Sequence, residues 1–379
     1  MPENPNNEPM PPAKKPVGAN APSKPLKESL SEFLIGSFKE QNHWIHAIAV
    51  GFLQEGPGVV RVKGQYASAH SEQRPEPIVF VDRAAPKCVV REIDCTIGRL
   101  VPSFFRLSTS RFVGLANPGD SISPLDPSEF DASPFNVSPF SAGTLGAVVQ
   151  VGGTGGQQYL LGSNHVLAYN GRVQTHEDIV TPGRLEDITG GSKIGSSFCF
   201  VPLDHTTTNS VDCALAQLQS PVPTQPMTSV KPIPFGTSIS NNPLLVSSPI
   251  KKFGRTTQST AATLNIYSWQ GSIDFSFGTF DFDDMLAAYT QHNVFAAPGD
   301  SGALAFDPSA TTRQGVGLVT ARAYSFDPSN QRFVSYIIVM CRLDNVADAL
   351  ASAINNANNG ATSFNGNDLE FYFLPNRVK

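Results

Sequence analysis

The feature that most restricts the fold of this chain is a series of short apolar runs after Gly143, separated by Gly, Ser and Pro. Examples of these runs are GTLGAVVQV, NSVDCALAQL and AATLNIYSW. Repeated strands without helices between them are typical of antiparallel sandwiches and barrels. The Pro-rich segment 220–234 divides the region as a connector would. We therefore predict a mainly β fold with two antiparallel β barrels, one over residues 141–225 and one over residues 226–345.

The N-terminal part of the chain has a different pattern. Residues 1–25 are rich in Pro, Asn and Lys, and they are predicted to form a disordered tail because they bury too little apolar surface to offset the entropy of ordering. Residues 26–115 are predicted to form a small α+β unit, with helical spacing near its start and strand-like runs at 44–53, 58–64, 77–81 and near 87–114. Residues 116–140 repeat Pro, Ser and Asp and are predicted to form a linker.

A helix and tail are predicted at the C-terminal end, over residues 346–379. Four apolar residues at helical spacing share one face of this helix: Leu343, Val346, Leu350 and Ile354. Asp344 is predicted to cap its N-terminus, because a carboxylate can accept the unpaired backbone N–H groups there.

Composition and charge argue against several classes of function. Hydrophobic residues make up 40% of the chain, yet no run approaches the roughly 18 apolar residues of a membrane-spanning helix, so no membrane association is predicted. The net charge of -5 offers no basic face for nucleic acid. The histidines outside the motifs discussed below show no metal-binding spacing, so neither a metal nor another cofactor is predicted.

The cysteines and the first residues bear on the cellular compartment. The five cysteines are odd in number and form no C-x-x-C pair, so they are predicted to be buried free thiols rather than zinc ligands or disulfides: Cys88, Cys95, Cys199, Cys213 and Cys341. The polar, Pro-rich N-terminus lacks the apolar run of a secretory signal. Together these features predict a reducing, cytoplasmic location.

Three residues offer the parts of a nucleophilic catalyst. Ser301 lies in FAAPGDSGALAFD, His165 in LLGSNHVLAYN and Asp212 in NSVDCALAQL, each at the edge of an apolar run. A serine hydroxyl needs a base within hydrogen-bond reach and an acid that orients the base. Small residues around Ser301 allow the N–H groups of Gly299 and Ser301 to form an oxyanion hole. We therefore predict a catalytic triad of His165, Asp212 and Ser301.

Other carboxylates compete for the acid position of this triad. Asp178, Asp187 and Asp204 also lie between the histidine and the serine. These three sit among Gly, Pro and Thr, which indicate turns, whereas Asp212 interrupts an apolar strand. Asp212 is therefore the preferred residue.

Residues 140–350 resemble the trypsin-like (chymotrypsin-fold) serine peptidases. The resemblance rests on the order His, Asp, Ser, on GDSG at residues 299–302, and on the NHVLA and GRTT motifs, which are closer to intracellular bacterial or plant members than to secreted ones. It implies two perpendicular six-stranded barrels, with His165 and Asp212 on the first and Ser301 on the second. It leaves open whether activation needs cleavage, since in some members the acid before the nucleophile, here Asp300, pairs with a newly exposed N-terminal amine.

The same resemblance implies which residues form the specificity pocket. The position six residues before the serine is Phe295, and the wall of the pocket falls on the strand that carries Thr320 and Arg322. Without an acid on the floor, a substrate Lys or Arg would lose its hydration without compensation. Arg322 favours small apolar or acidic residues before the scissile bond, and if it points into solvent the pocket favours Leu or Met.

The leading hypothesis is thus a serine endopeptidase acting on polypeptides. One alternative is a catalytically weak scaffold or binding module with the same fold. For the peptidase itself, the N-terminal unit is predicted to recruit a regulatory protein partner or to restrain the cleft, and the alternative is that it only packs on the barrels and stabilises them. Another is an α/β-hydrolase esterase, which the sequence disfavours because Ala303 stands where its G-x-S-x-G motif ends and because His165 precedes the serine.

Overall fold

The computed structural model describes the chain in segments, and these segments are mainly β. The described residues are 43–64, 75–114, 123–124, 142–153, 156–173, 175–184, 191–220, 228–232, 248–291, 294–308, 313–330 and 332–373. Within them, 19 strands form one mixed sheet network. The predicted tail 1–25, the predicted helix near 26–40 and nearly all of the predicted linker 116–140 lie outside the described residues.

One set of six strands carries the first half of the predicted peptidase region. Its strands pair antiparallel in the order β6, β9, β10, β11, β8, β7. They are β6 (Ser123–Pro124), β7 (Ala147–Val151), β8 (Gln157–Gly162), β9 (Asp178–Thr181), β10 (Ser192–Phe200) and β11 (Ala214–Leu218).

A second set of six strands pairs in a closed ring. Antiparallel pairing runs from β13 through β14, β15, β18, β17 and β16 and returns to β13. The strands are β13 (Ser248–Gly254), β14 (Gln258–Phe275), β15 (Gly278–Gln291), β16 (Leu304–Asp307), β17 (Arg313–Phe326) and β18 (Phe333–Arg342).

Two further strands connect the two sets. β19 (Leu369–Phe373) pairs with β7 of the first set and with β12 (Thr228–Pro232), which in turn pairs with β17 of the second. The mainly β prediction is confirmed. The two sets belong to one continuous network, so the finer prediction of two separate barrels is not confirmed.

The N-terminal segment forms a four-stranded sheet with one helix. Its strands pair in the order β2, β4, β3, β1, where β3 and β4 run parallel with helix α1 between them in sequence. β1 also pairs with β14 of the closed ring. The elements are β1 (Ile45–Gly51), β2 (Val59–Lys63), β3 (Glu76–Asp82), α1 (Lys87–Gly98), β4 (Ser103–Thr109) and β5 (Phe112–Gly114).

The strand prediction near 87–114 is wrong in its first half. Residues from Lys87 to Gly98 are helical, because Ile93 and Ile97 recur one turn apart and are fully buried. All five cysteines are free thiols, but only Cys213 and Cys341 are buried. Cys199 is partly buried, and Cys88 and Cys95 on this helix are exposed, so the prediction that all five are buried is wrong for these three.

The C-terminal helix α3 (Leu343–Ala357) buries the apolar face that the sequence predicts. Asp344 is not its cap, because Arg342 occupies the N-cap position in an extended conformation. Asp344 instead lies in the first turn, where its carboxylate binds the Arg342 guanidinium. No helix in the described segments is long and apolar enough to cross a membrane.

Candidate active site

His165 lies in a one-turn helix, α2 (Asn164–Leu167), that begins where β8 ends. Ser163 precedes it in an extended conformation, and the Asn164 side chain donates to the Val201 carbonyl at 2.8 Å. The turn therefore fixes the direction of the His165 imidazole, which is only 1% exposed.

Asp212 precedes β11 and binds His165 at two points. Its Oδ1 accepts the backbone N–H of His165 at 3.0 Å, and its Oδ2 lies 2.5 Å from His165 Nδ1. Because one carboxylate holds both the backbone and the ring, the imidazole has one orientation. The Asp212 N–H donates in turn to the Sγ of Cys341 at 3.1 Å.

The competing carboxylates are engaged elsewhere or lie outside the described residues. Asp178 pairs with the ammonium of Lys193 at 2.5 Å. Asp204 accepts the hydroxyl of Thr206 at 2.7 Å. Asp187 falls outside the described residues.

Ser301 lies in a turn before β16, and its Oγ is 2.9 Å from His165 Nε2. The Ser301 carbonyl accepts the N–H of Thr144 at 2.8 Å, and the Gly302 N–H donates to Val319 at 2.9 Å. Gly302 has a φ of +86°, and a Cβ there would lie 2.6 Å from the Thr144 carbonyl oxygen, so this turn requires glycine. The three predicted triad residues are thus in one hydrogen-bonded chain.

The backbone around the predicted oxyanion hole is also held. Gly299 has a φ of +99°, and its carbonyl accepts the Thr144 hydroxyl at 2.8 Å. Within the described part of the chain, the N–H groups of Gly299 and Ser301 donate to no acceptor. They are therefore available to an oxyanion, and this role stays a prediction.

Asp300 forms a buried ion pair that sequence reasoning missed. Lys252 Nζ lies 3.2 Å from its Oδ2, and both side chains have no exposure. Asp300 also accepts the Thr256 N–H at 2.8 Å and the Thr257 hydroxyl at 2.6 Å. Burial lowers the pKa of Lys252, while Asp300 acts in the opposite direction. The chain itself thus supplies the cation beside the acid that precedes Ser301.

Lys252 carried a sequence signal that could have revealed it. In the alternating strand β13 it stands two residues after buried Ile250, at a position that faces inward. A charged side chain at such a position needs a buried partner. The GRTT motif, residues 254–257, supplies Thr256 and Thr257 to the same carboxylate.

The three predicted pocket residues each contact other residues of the chain. Phe295 is fully buried, with its ring centroid 5.7 Å from Lys252 Nζ. Thr320 is buried and its hydroxyl lies 3.1 Å from Cys341 Sγ. The Arg322 guanidinium lies 5.1 Å from the ring centroid of Tyr324. Their role in specificity stays a prediction.

The site is closed to solvent in this structure. Ser301 has 0% exposure, and the Phe275 ring, at the end of β14, lies 4.9 Å from the His165 ring.

Comparison with known proteins adds a likeness of fold at low similarity. No protein-family model matches this chain, and no curated protein sequence matches it. Thermobifida fusca Protease A is similar with a TM-score of 0.33 and 13% sequence identity. The alignment covers 56% of this chain and 90% of that protein.

Two further solved structures are similar. One is a glutamic acid specific serine protease that utilizes a novel histidine triad in substrate binding, with a TM-score of 0.30 and 20% sequence identity. The alignment covers 55% of this chain and 96% of that protein. The other is Cellulomonas bogoriensis chymotrypsin, with a TM-score of 0.30 and 16% sequence identity. The alignment covers 55% of this chain and 87% of that protein. Scores this low establish neither a family nor an activity for this chain.

Proposed function

We propose that this chain is a serine endopeptidase that hydrolyses peptide bonds through an acyl-enzyme on Ser301. The observation that carries the proposal is the buried chain of hydrogen bonds from Asp212 through His165 to Ser301, with distances of 2.5 and 2.9 Å. These are the contacts that a serine nucleophile needs, since the base must reach the hydroxyl and the acid must orient the base.

The geometry supports a two-step mechanism. Ser301 Oγ attacks the carbonyl carbon of the scissile bond while its proton moves to His165 Nε2, and Asp212 holds the Nδ1–H that faces it. His165 then gives the proton to the leaving amine, which departs and leaves an ester on Ser301. A water molecule, deprotonated by His165, hydrolyses the ester and restores the serine. No cofactor takes part in these steps.

The turn that carries Ser301 supplies the second part of the proposal. The N–H groups of Gly299 and Ser301 would stabilise the negative oxygen of the tetrahedral intermediate, because donors fixed before the reaction need no reorganisation. The buried ion pair of Asp300 and Lys252 supports this role, since it stabilises the turn that contains Gly299 and Ser301.

Several finer features belong to the same proposal. The two strand sets would act as two barrels with the site between them. Phe295, Thr320 and Arg322 would favour a small apolar or acidic residue before the scissile bond. The substrate is a polypeptide in the cytoplasm, and the N-terminal unit would be available to a regulatory protein.

The test of the proposal is turnover of a mixed peptide library, read by mass spectrometry. Replacing Ser301 or His165 by Ala should reduce cleavage by on the order of 10⁴–10⁶-fold, because the base and the nucleophile act as a unit. A Ser301→Ala chain that cleaves as fast as the wild type contradicts the proposal. Equal inactivity of the wild type and the Ser301→Ala chain toward all peptides, also when the site is open to substrate, favours the scaffold alternative.

A further inference from the structure

One edge of β17 is covered by a segment of the N-terminal region. Beyond Val319, β17 pairs with β18 on one side. On its other side, Ala321 pairs with Gly114 and Arg322 with Val113, both from β5. Further along, β17 pairs with β4. The N-terminal region therefore occupies the edge of β17 that β18 leaves open.

This covered edge begins next to the nucleophile. The Val319 carbonyl accepts the N–H of Gly302, the residue after Ser301. Ala321 is two residues further along β17, which is about 7 Å in a strand. β5 runs antiparallel to β17, so its chain direction is toward this turn, and the described part of the segment ends at Gly114.

β5 is anchored to the fold rather than loosely apposed to it. Phe112 is 1% exposed, and its ring makes edge contacts with Phe80 at 5.5 Å and with Trp269 at 4.9 Å. β5 also pairs in parallel with β14 through Ile273 and Asp274. Both sides of this short strand are therefore engaged.

An extended polypeptide commonly binds a protein by adding a strand to an exposed sheet edge. The β17 edge beside Ser301 is a site of that kind, and β5 already fills it. A segment tethered in the same chain competes at an effective concentration that reaches the millimolar range. The full burial of Ser301 agrees with a site that substrate does not yet reach.

We propose that the strand Phe112–Gly114 holds the chain in an autoinhibited form by occupying the β17 edge that an extended substrate needs. This inference rests on the proposed peptidase function. Activation would then require release of β5 from β17, by a partner of the N-terminal region or by a competing polypeptide.

The first test is Val113→Pro in the full chain, because proline is not tolerated in a strand that pairs on both sides, as β5 does with β14 and β17. The value of kcat/KM for a decapeptide substrate should rise at least about tenfold. The matched control is Val60→Pro in β2, a strand that pairs with β4 but not with β17. An equal rise in the control would show general loosening and would overturn the proposal.

The second test locks the strand and does not depend on the fold of the proline variant. In a Val113→Cys/Arg322→Cys chain the two paired residues can form a disulfide, since Cα atoms of directly opposed residues lie within bridging distance. Oxidation should abolish the peptide turnover of the reduced double variant and reductant should restore it, while the chains with only Val113→Cys or only Arg322→Cys should not respond. Failure of the disulfide to form, or full turnover of the oxidised chain, overturns the proposal.

The outcomes separate this inference from the proposed function. Turnover that depends on Ser301 and is equal in the wild type and Val113→Pro overturns autoinhibition alone. Absence of such turnover in both chains contradicts the peptidase itself. A wild-type chain cut next to β5, with an intact Ser301→Ala chain, would show that the segment is a substrate and not an inhibitor.

Discussion

Two buried carboxylates belong to the Ser301 site, Asp212 through His165 and Asp300 as the preceding residue, and they differ in what they bind. Asp212 gives both oxygens to one residue, His165, whose other ring nitrogen faces Ser301. Asp300 is shared among Lys252, two backbone N–H groups of the GRTT motif, the backbone N–H of Ala297 and a threonine hydroxyl. Asp212 orients the imidazole that can transfer a proton, whereas Asp300 accepts hydrogen bonds that stabilise the turn carrying Ser301. We expect loss of the first to affect turnover and loss of the second to affect stability.

The largest expected effect is on the turnover of Asp212→Asn. The amide can keep the packing but favours the wrong tautomer of His165, so kcat should fall by about 10⁴-fold. The midpoint of chemical denaturation should change little. If Asp212→Asn loses stability but keeps the kcat of the wild type, the claim that Asp212 affects turnover rather than stability is contradicted.

The next effect concerns the stability of the Ser301 turn. Lys252→Met leaves Asp300 as a buried charge without its cation, so the free energy of unfolding should fall by about 3–5 kcal/mol. Denaturant titration measures it. Adding Asp300→Asn to this variant removes the unpaired charge and should recover part of the loss. A double variant less stable than Lys252→Met would contradict the ion-pair account.

A smaller effect on turnover is expected from the Thr320 hydroxyl, which is linked to Asp212 through Cys341. The Thr320 hydroxyl lies 3.1 Å from Cys341 Sγ, which accepts the Asp212 N–H. Burial raises the pKa of Cys341 to about 12, so the thiol is neutral near pH 7. Thr320→Val should reduce kcat less than about tenfold, which corresponds to less than about 1.4 kcal/mol. Thr320→Ser, which keeps the hydroxyl, is the control and should retain full rate.

The smallest effect is expected on the pH dependence of stability, at the pair of His46 and Asp82. His46 Nε2 lies 3.1 Å from Asp82 in the N-terminal sheet. Burial lowers the pKa of His46 from 6.5, and Asp82 opposes this shift. Below pH 6.5 the unfolded chain then binds more protons than the folded chain, so stability should decline as the pH falls. Unfolding midpoints from about pH 7.5 to about pH 5.5 test this, and His46→Gln should flatten the slope.

The sequence was sufficient to predict which three residues meet at the site. His165, Asp212 and Ser301 each stand where an apolar run gives way to small or polar residues, and that local pattern survives folding. The strands around them follow the same alternation. Helix α1 was missed because β-branched residues favour strands locally, whereas its packing depends on Ile93 and Ile97 one turn apart.

The contacts behind and beside Ser301 could not be predicted in the same way. The partner of Asp300 is far away in sequence, and only the inward position of Lys252 indicated that it needed one. β5 has three residues, too few for a periodic signal, and its partners Ala321 and Arg322 lie far along the chain. Such long-range pairing has no local signature.

The most direct measurement is the mass of the Ser301 peptide after reaction with a fluorophosphonate, a reagent that traps an activated serine. The account predicts one adduct on Ser301 that His165→Ala abolishes, with faster labelling of the Val113→Pro chain. No adduct on Ser301 in either the wild type or Val113→Pro, or an adduct that forms equally well in His165→Ala, would contradict the assignment of Ser301 as the nucleophile.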